Sequence, residues 1–321
     1  MPTDYVTRPE DVVACYEMFL GRAPESSQII ESHVSTASRL WDFINIVYRC
    51  TEAERRSTHA ACGRISALQN AQNIHTSATP EDLDRLTDHI RQVWSRYGEE
   101  EAYFSVLTNP TFLRERLGVA DIEAFYATGV DEVAKFTAMC RRNRIEPDPA
   151  WSVLEFGCGV GRVGQAFAGQ SATYTGVDIS LGHLAIARER FSSFGMTNTK
   201  LLSLDSFSKD TETYDVVFSV LVLQHNPPPV ILQNLDTCLS KLNPGGVIYI
   251  QIPCHLYDYA FSVPSYLAGE GRKEEMEIHA VPQRDIFALL ARHGCVPLEV
   301  TPDDRTGPIG FSYSFLAQRQ A

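Results

Sequence analysis

The stretch that most constrains this chain is an apolar segment that runs directly into three alternating glycines. Residues 152–156 have the length and composition of a buried strand, and Gly157, Gly159 and Gly161 follow them. Glycine allows a sharp backbone turn and lets a ligand lie against bare peptide groups. We expect a helix to start around Val160, with free N–H groups that favour a carboxylate or a phosphate. The pattern predicts a nucleotide-cofactor loop at the first strand of a doubly wound sheet.

Two cofactor classes are compatible with this loop. Residues 159–164 match the dinucleotide pattern G-x-G-x-x-G. In that register Glu155 lies inside the strand, where an unpaired buried carboxylate is costly. If the loop instead starts at Gly157, Glu155 lies at the carboxyl edge of the strand, beside the ligand. A carboxylate there would repel a pyrophosphate and attract an ammonium group, so this register favours S-adenosylmethionine (SAM) over NAD.

Further segments follow the loop in order and at suitable spacing. They are YTGVDIS at 174–180, LLSLDSF at 201–207, YDVVFSVLVLQH at 214–225 and LNPGGVIYI at 242–250. Together with LEFGCGVG at 154–161, they resemble the motifs of the class I SAM-dependent methyltransferases. The ordered set is far more specific than any one motif. The resemblance implies an α/β fold, a Rossmann-like seven-stranded sheet whose last strand is antiparallel, preceded here by an all-α region.

Asp178 is the first cofactor residue that the resemblance implies beyond the loop. It ends the second predicted strand, about 20 residues after the loop, where an acid reaches the ribose hydroxyls of a bound nucleotide. The position serves SAM and NAD equally and does not discriminate between them. The alternative for Asp178 is an ordinary helix cap before Ser180. The neighbouring Ile179 is expected to pack on the adenine.

The remaining cofactor contacts are expected after strands three and four. Asp205 would accept a hydrogen bond from the adenine amino group, with Ser206 and Phe207 beside it. A helix-cap role is the alternative for Asp205. Val220 would line the methionine end of the cofactor. Arg162, in the first turn after the loop, is open to three roles: pairing with an acid on the preceding helices, touching the substrate, or a surface salt bridge.

Two histidines are candidate catalytic residues. Methyl transfer from a sulfonium is an in-line displacement, so alignment of the nucleophile, carbon and sulfur provides most of the rate gain. A hydroxyl nucleophile also benefits from a base with a pKa near neutral, which favours histidine. His225 ends the loop after strand four, where it could act as a base or orient neighbours by hydrogen bonds. His279 lies before the last helix, near the expected substrate mouth.

Residues 150–321 alternate predicted strands and helices, which implies a parallel sheet with right-handed crossovers. The link over 303–308 is too short for a crossover, so strands six and seven are expected to form an antiparallel hairpin. Residues 253–281 form an insertion that we interpret as a lid or substrate wall. Its candidate lining residues are Tyr257, Tyr259, Phe261 and Tyr266. No acids or asparagines stand at metal-ligand spacing, so no metal is predicted.

Two helical regions are predicted ahead of the sheet. Residues 1–75, with LGRAP at 20–24, resemble a small bacterial helical domain of unknown function that is often joined to enzymes acting on glycans and cell-surface polymers. This domain is either a packing domain with no chemistry of its own or a docking module for a glycan or an assembly partner. Residues 76–149 form a lead-in whose first helix is expected to end at Gly98. Residues 94–129 of this lead-in resemble a leader of some bacterial methyltransferases. Its candidate substrate-wall aromatics are Trp94, Tyr103, Phe125 and Tyr126.

Charge and composition narrow the partners. The formal net charge of −12 disfavours the phosphate backbone, so nucleic acid is not expected as a partner. The N-terminus lacks an apolar signal core and no stretch reaches transmembrane length, so we expect a cytoplasmic protein without membrane insertion. Arginine greatly outnumbers lysine, which hints at a bacterial source.

The sequence therefore predicts a SAM-dependent methyltransferase that acts on a small molecule or a sugar, with oxygen as the favoured acceptor atom. The first rival is a SAM-binding scaffold or regulatory protein in glycan or natural-product assembly, without methyl transfer. An intact loop with both Asp178 and Asp205 argues against lost cofactor binding. The second rival, an NAD-dependent enzyme, is opposed by Glu155, the motif order and the terminal hairpin.

Overall fold

The computed structural model describes residues 6–16, 23–36, 43 and 72–320. The chain divides into two compact units, Met1–Ala71 and Gln72–Ala321. The predicted division into 1–75, 76–149 and 150–321 stays a prediction, although residues 72–75 belong to the second unit.

Two helices are described in the first unit. Helix α1 spans Pro9–Cys15 and helix α2 spans Ser27–Thr36. Val12 on α1 is fully buried, as the helical spacing of apolar residues predicts. The segment RLWDFINIVYRC at 39–50 also has the pattern of a helix, but it falls outside the described residues except for Phe43.

The second unit starts with helices and continues as an alternation of strands and helices. The leading helices are α3 (Pro80–Glu100), α4 (Ala102–Val106), a 3₁₀ turn (Pro110–Phe112) and α5 (Val119–Arg142). The strands are β1 (Ser152–Phe156), β2 (Thr173–Asp178), β3 (Thr199–Ser203), β4 (Tyr214–Ser219), β5 (Leu242–Leu256), β6 (Cys295–Asp303) and β7 (Gly310–Arg319). The intervening helices are α6 (Gly164–Ala168), α7 (Leu181–Ser193), α8 (Leu204–Lys209), α9 (Pro228–Ser240), α10 (Val263–Leu267) and α11 (Gln283–Arg292).

The seven strands form one sheet in the order β3-β2-β1-β4-β5-β7-β6. Strands β1 to β5 pair in parallel, whereas β7 lies antiparallel to both β5 and β6. The Rossmann-like sheet with an antiparallel last strand is therefore confirmed. The β6–β7 connection is the short turn that the sequence requires, with a 3₁₀ segment at Gly307–Ile309.

Helices cover both faces of the sheet. Residues of β1 alternate between the two layers: Leu154 and Phe156 pack in one core, and Val153 packs in the other. The first core includes side chains of α9 and α11, and the second includes Phe136 and neighbouring residues of α5. Burial on both faces explains why the central strands are continuous apolar runs.

The helix after the glycine loop starts later than predicted. Turns occupy 159–163, and α6 begins only at Gly164 rather than around Val160. The reason lies in the backbone of the loop, because Gly157, Gly159 and Gly161 all have positive φ (79°, 53° and 80°). A right-handed helix requires negative φ, so it starts after the last left-handed glycine.

Strand β5 is longer than predicted, and the proposed insertion at 253–281 therefore begins inside it. Pro253 lies opposite Ser312 and Leu256 lies opposite Gly310, with a register shift between Pro253 and His255. The long antiparallel partner β7 provides the ladder that extends β5. The part of the insertion outside the sheet starts after Leu256 and contains the short helix α10.

Helix α3 does not end at Gly98, as the sequence predicts, but continues to Glu100. Gly98 is buried where α3 crosses the start of α7. A Cβ at this position would overlap Ser180 Oγ and lie 3.2 Å from the backbone nitrogen of His183. The glycine therefore permits a close approach of two helices and does not serve as a helix terminator.

Candidate functional site

The glycine loop and the end of β2 are joined by backbone hydrogen bonds. The amides of Gly157 and Cys158 donate to the carbonyl of Val177 at 2.7 and 2.9 Å. The Asp178 carboxylate accepts from the Gly159 amide at 2.8 Å and from the Ser180 amide at 2.9 Å. Asp178 thus fixes the turn of the loop, a role that the motif alone did not indicate.

A cavity lies at the carboxyl ends of β1, β2 and β4. It has about 780 Å³ of space between protein atoms, a volume that includes its open mouth. Its lining residues are Ile90, Trp94, Val106, Glu155, Phe156, Gly157, Cys158, Gly159, Arg162, Val163, Val177, Asp178, Ile179, His183, Leu204, Val220, Leu221, Val222, Asn226 and Asn234. Topology places a ligand crevice at this edge in open α/β sheets.

Most of the predicted cofactor residues meet in this cavity. They are Glu155, Gly157, Gly159, Asp178, Ile179 and Val220. Gly161 is not among the lining residues, because it faces α7, where a Cβ would lie 2.7 Å from the ring of Phe191. Gly161 instead permits the turn of the loop and the close packing of the loop against α7.

The residues predicted to contact adenine lie apart from the cavity lining. Asp205 has a side chain 69% exposed and pairs with Arg91 at 2.9 Å. Ser203 caps α8, because its Oγ accepts a hydrogen bond from the Ser206 amide at 3.2 Å. Phe207 is fully buried in the core beside Phe156. In this segment only Leu204 lines the cavity, and the cofactor roles of the other three stay predictions.

Glu155 is the buried acid of the cavity. It is 5% exposed, and its Oε2 accepts a hydrogen bond from the Tyr174 hydroxyl at 2.6 Å. Burial raises the pKa of Glu155 to about 8, while Tyr174 and the charge of Arg162 act in the opposite direction. The carboxyl is therefore protonated at neutral pH until a cation comes close to it.

His183 is a cavity residue that the sequence analysis missed. Its Nε2 lies 2.9 Å from Ser105 Oγ, and that hydroxyl donates to the carbonyl of Ala102. Nε2 must then carry the proton, which leaves Nδ1 as an acceptor without a hydrogen-bond partner, 3.8 Å from Asp178 Oδ1. Burial lowers the pKa of His183. The available signal was the short spacing from Asp178 to His183 on α7.

The leading helices contribute one wall of the cavity. Ile90 and Trp94 come from α3, and Val106 comes from α4. Trp94, a candidate wall residue in the sequence analysis, therefore lines the cavity. Tyr103, Phe125 and Tyr126 are not among the lining residues. Instead they pack against one another with ring centroids 5.1 to 6.3 Å apart. The Tyr126 hydroxyl donates to the carbonyl of Val160 at 2.9 Å, which braces the glycine loop.

A second cleft adjoins the cavity and contains His225. The two spaces share Val106 and Leu221, and the second also includes Tyr97, Gln224 and Arg305 among its lining. His225 Nδ1 lies 2.8 Å from the carbonyl of Glu277, which can only accept, so Nδ1 carries the proton. Nε2 is then an acceptor, 3.2 Å from the Gln224 amide nitrogen. Burial lowers the pKa of His225 to about 4, so the ring is neutral at pH 7.

Gln251 on β5 organises this junction. Its side chain is fully buried, and Oε1 accepts from the Leu221 amide at 3.0 Å. Its Nε2 donates to Gln224 Oε1 at 3.1 Å and to Ser312 Oγ at 2.6 Å. Leu221 has φ of 63°, an uncommon conformation for a residue with a Cβ. The bond from Gln251 therefore holds a strained loop, a role that no local sequence pattern reveals.

His279 lies in a third cleft rather than beside His225. The ring is buried, with Nδ1 2.8 Å from the Tyr259 hydroxyl and Nε2 3.4 Å from Glu277 Oε2. The third cleft shares Met276 and Ile278 with the second. The predicted lid residues Tyr259, Phe261 and Tyr266 line it, whereas Tyr257 packs outside, against Phe311.

The described fold and site define a class of protein. An open α/β sheet, a glycine-turned loop after β1 and an acid at the end of β2 form a nucleotide-cofactor site. Among the helices of residues 6–16, 23–36, 43 and 72–320, none is long and apolar enough to cross a bilayer.

Comparison with known proteins narrows this class. Residues 154–248 match a family described as a methyltransferase domain. A ubiquinone biosynthesis O-methyltransferase of Vibrio parahaemolyticus is 32% identical over 114 residues, which is 35% of this chain and 48% of that protein. One from Burkholderia ambifaria is 25% identical over 191 residues, 59% of this chain and 69% of that protein. The chain spans about half the length of the first curated relatives it matches.

Among solved structures, magnesium protoporphyrin IX methyltransferase from Synechocystis PCC 6803 with bound SAM is 15% identical to this chain. Its TM-score is 0.49, with 72% of this chain and 97% of that chain covered. The family match therefore places a methyltransferase domain on the part of the sheet that runs from β1 into β5.

Proposed function

We propose that this chain transfers a methyl group from SAM to a hydroxyl oxygen of a small-molecule or sugar acceptor. The observation that carries the proposal is that the cofactor cavity and the cleft that contains His225 adjoin each other and share the lining residues Val106 and Leu221. A methyl donor in the first space and a hydroxyl in the second would meet there. The similarity to O-methyltransferases supports oxygen as the acceptor atom.

The charges of the first cavity support SAM as its ligand. Glu155 is positioned to accept the ammonium group of the amino-acid part. Asp178 retains lone pairs for ribose hydroxyls, because each of its oxygens accepts one backbone N–H and a carboxylate offers about four acceptor sites. Ile179 and Val220 supply apolar contacts. The pyrophosphate of NAD carries no cation that could stabilise the ionised form of Glu155, so this site suits SAM better.

The acceptor is oriented by the polar groups of the second cleft. SAM supplies a methyl group on a sulfonium, so the protein's task is to hold the acceptor oxygen in line with it. His225 Nε2 can accept a hydrogen bond from the acceptor hydroxyl in place of the one from Gln224. A pKa of about 4 makes this ring a weak base at neutral pH, so we assign it an orienting role.

The third cleft would hold the more distant part of the acceptor. Aromatic faces of Tyr259, Phe261 and Tyr266 surround the polar pair formed by His279 and Glu277. Aromatic rings with nearby hydrogen-bonding groups suit a polyhydroxylated or aromatic molecule. His279 remains a candidate base, and its backbone N–H also supports the Gln224 carbonyl at 2.8 Å.

The helical region at 1–75 is proposed as a docking module for a glycan or an assembly partner. Its support is the resemblance at LGRAP, residues 20–24. A cytoplasmic location is proposed because SAM is made in the cytosol.

Calorimetric titration of the full chain with SAM, S-adenosylhomocysteine and NAD tests the cofactor. We expect the first two to bind and NAD not to bind. Asp178→Ala should weaken binding of both adenosyl ligands by about tenfold or more, because a hydrogen bond to a charged group contributes about 1.5–3 kcal/mol. Asp131→Ala, which changes an exposed aspartate on α5, is the matched control and should leave the affinities unchanged.

Binding of NAD alone would contradict the proposal. If the adenosyl ligands bind, a screen of hydroxylated aromatics and sugars with radiolabelled SAM then tests methyl transfer. Binding without transfer to any class of acceptor would favour the scaffold alternative.

A further inference from the structure

Arg162 is a buried cation that faces the cofactor cavity. The residue is 4% exposed and lines the cavity together with Glu155. Its Nη1 donates to Thr128 Oγ1 on α5 at 3.1 Å. Its Nε is buried and has no hydrogen-bond partner within the described residues. An arginine side chain keeps its charge in proteins, so a positive group with an unused donor stands at the edge of this space.

The carboxylates near Arg162 are engaged elsewhere. Glu132 accepts two bonds from Arg305, both at 2.7 Å, and one from Lys135 at 2.9 Å. Glu155 accepts from Tyr174. Across residues 72–320, no carboxylate oxygen lies within salt-bridge distance of the Arg162 guanidinium. Burial lowers the pKa of Arg162, and the charges of Glu132 and Glu155 only partly offset this effect.

An unpaired buried charge is costly, so a ligand that completes the pairing would be bound strongly. The cavity presents a cation and an acid together, which is the complement of an α-amino acid with its carboxylate and ammonium groups. A lone anion would pair with Arg162 alone, whereas a ligand that also carries an ammonium group would stabilise the ionised form of Glu155. The arrangement therefore selects a zwitterion over a simple anion.

We infer that Arg162 binds the carboxylate of the amino-acid part of the cofactor, while Glu155 accepts its ammonium group. The inference rests on the proposed function, since it takes SAM as the ligand. Thr128 acts as a positioning residue, because its hydroxyl holds one nitrogen of the guanidinium and leaves Nε available. Arg162 therefore sets the preference for the complete amino acid over adenosyl compounds that lack it.

The test compares two ligands that differ in the amino-acid part. S-adenosylhomocysteine carries the carboxylate and ammonium groups, whereas 5′-methylthioadenosine lacks both. Calorimetry on the full chain should show that Arg162→Gln weakens S-adenosylhomocysteine binding by about 10- to 100-fold, the range for a charged hydrogen bond. The affinity for 5′-methylthioadenosine should change by less than about twofold. Arg85→Gln, at an exposed arginine on α3, is the control.

Arg162→Lys provides a second variant that keeps the buried charge. It should fall between the wild type and Arg162→Gln, because lysine lacks the planar fork that matches a carboxylate. Equal losses for both ligands in Arg162→Gln would show a structural role and overturn the inference, as would unchanged S-adenosylhomocysteine binding. A wild-type chain that binds neither ligand would instead overturn the proposed function. The comparison of the two ligands therefore distinguishes a failure of the inference about Arg162 from a failure of the proposed function.

Discussion

Glu155 is the residue whose protonation responds most directly to a ligand in the cofactor cavity. Its pKa is raised to about 8 by burial, so most molecules carry a proton at this site at pH 7. A ligand ammonium group stabilises the ionised carboxylate and lowers that pKa again. The cofactor and the proton therefore compete for the same oxygen atoms.

Binding of S-adenosylhomocysteine at pH 7 is accordingly expected to release up to about one proton, and less above pH 8. Calorimetry in two buffers with different ionisation enthalpies measures this release directly. Glu155→Gln should bind more weakly and release no proton from this site. Heats that do not depend on the buffer in the wild type would contradict the assignment of Glu155.

At the scale of secondary-structure elements, the contact of α3 with α7 forms one side of the site. Gly98 lets α3 approach the start of α7, where Ser180 caps the helix and His183 faces the cavity. The same helix presents Ile90 and Trp94 to the cavity. A displacement of α3 would therefore disrupt its packing against α7 and open the cofactor cavity as well.

Gly98→Val should destabilise the protein by about 1–3 kcal/mol through overpacking and weaken S-adenosylhomocysteine binding. Thermal unfolding and calorimetry on the same sample measure both effects. Gly169→Ala is the matched control, since a Cβ there would meet its nearest atoms at an ordinary 3.7 Å. Wild-type affinity in Gly98→Val would show that α3 does not shape the cavity.

At the scale of the whole molecule, the described lining of the cofactor cavity and of both adjoining clefts belongs to the second unit. Every lining residue that the structure describes lies between Asn73 and Ile309. The two cores that cover the sheet are likewise formed by residues of this unit. We therefore expect the second unit to bind the cofactor by itself.

A chain that starts at Gln72 should bind S-adenosylhomocysteine within about twofold of the full chain. Circular dichroism confirms that the shortened chain is folded, and calorimetry compares the affinities. A folded product with at least a tenfold loss would show that the first unit contributes to the site. Full affinity for S-adenosylhomocysteine combined with a loss of acceptor methylation would show that the first unit helps to bind the acceptor.

Local sequence pattern accounts for much of the fold and for part of the site. The alternation of apolar strands and helices predicts the sheet, and the short 303–308 link predicts its antiparallel end. Glu155, Asp178 and Ile179 reach the cavity because residues at the carboxyl ends of parallel strands meet at one edge. The predicted start of α6 was wrong because three alternating glycines with positive φ delay the helix.

What the sequence by itself determined is the alternation of strands and helices, the glycine loop and the acids beside it, since these depend on neighbours along the chain. Only the tertiary structure decided that Arg162 has no salt-bridge partner among the described residues, that Gln251 holds Leu221, and that His225 and His279 lie in separate clefts. The difference is physical. Burial and hydrogen-bond partners depend on packing between segments far apart in the chain, and no local pattern encodes them.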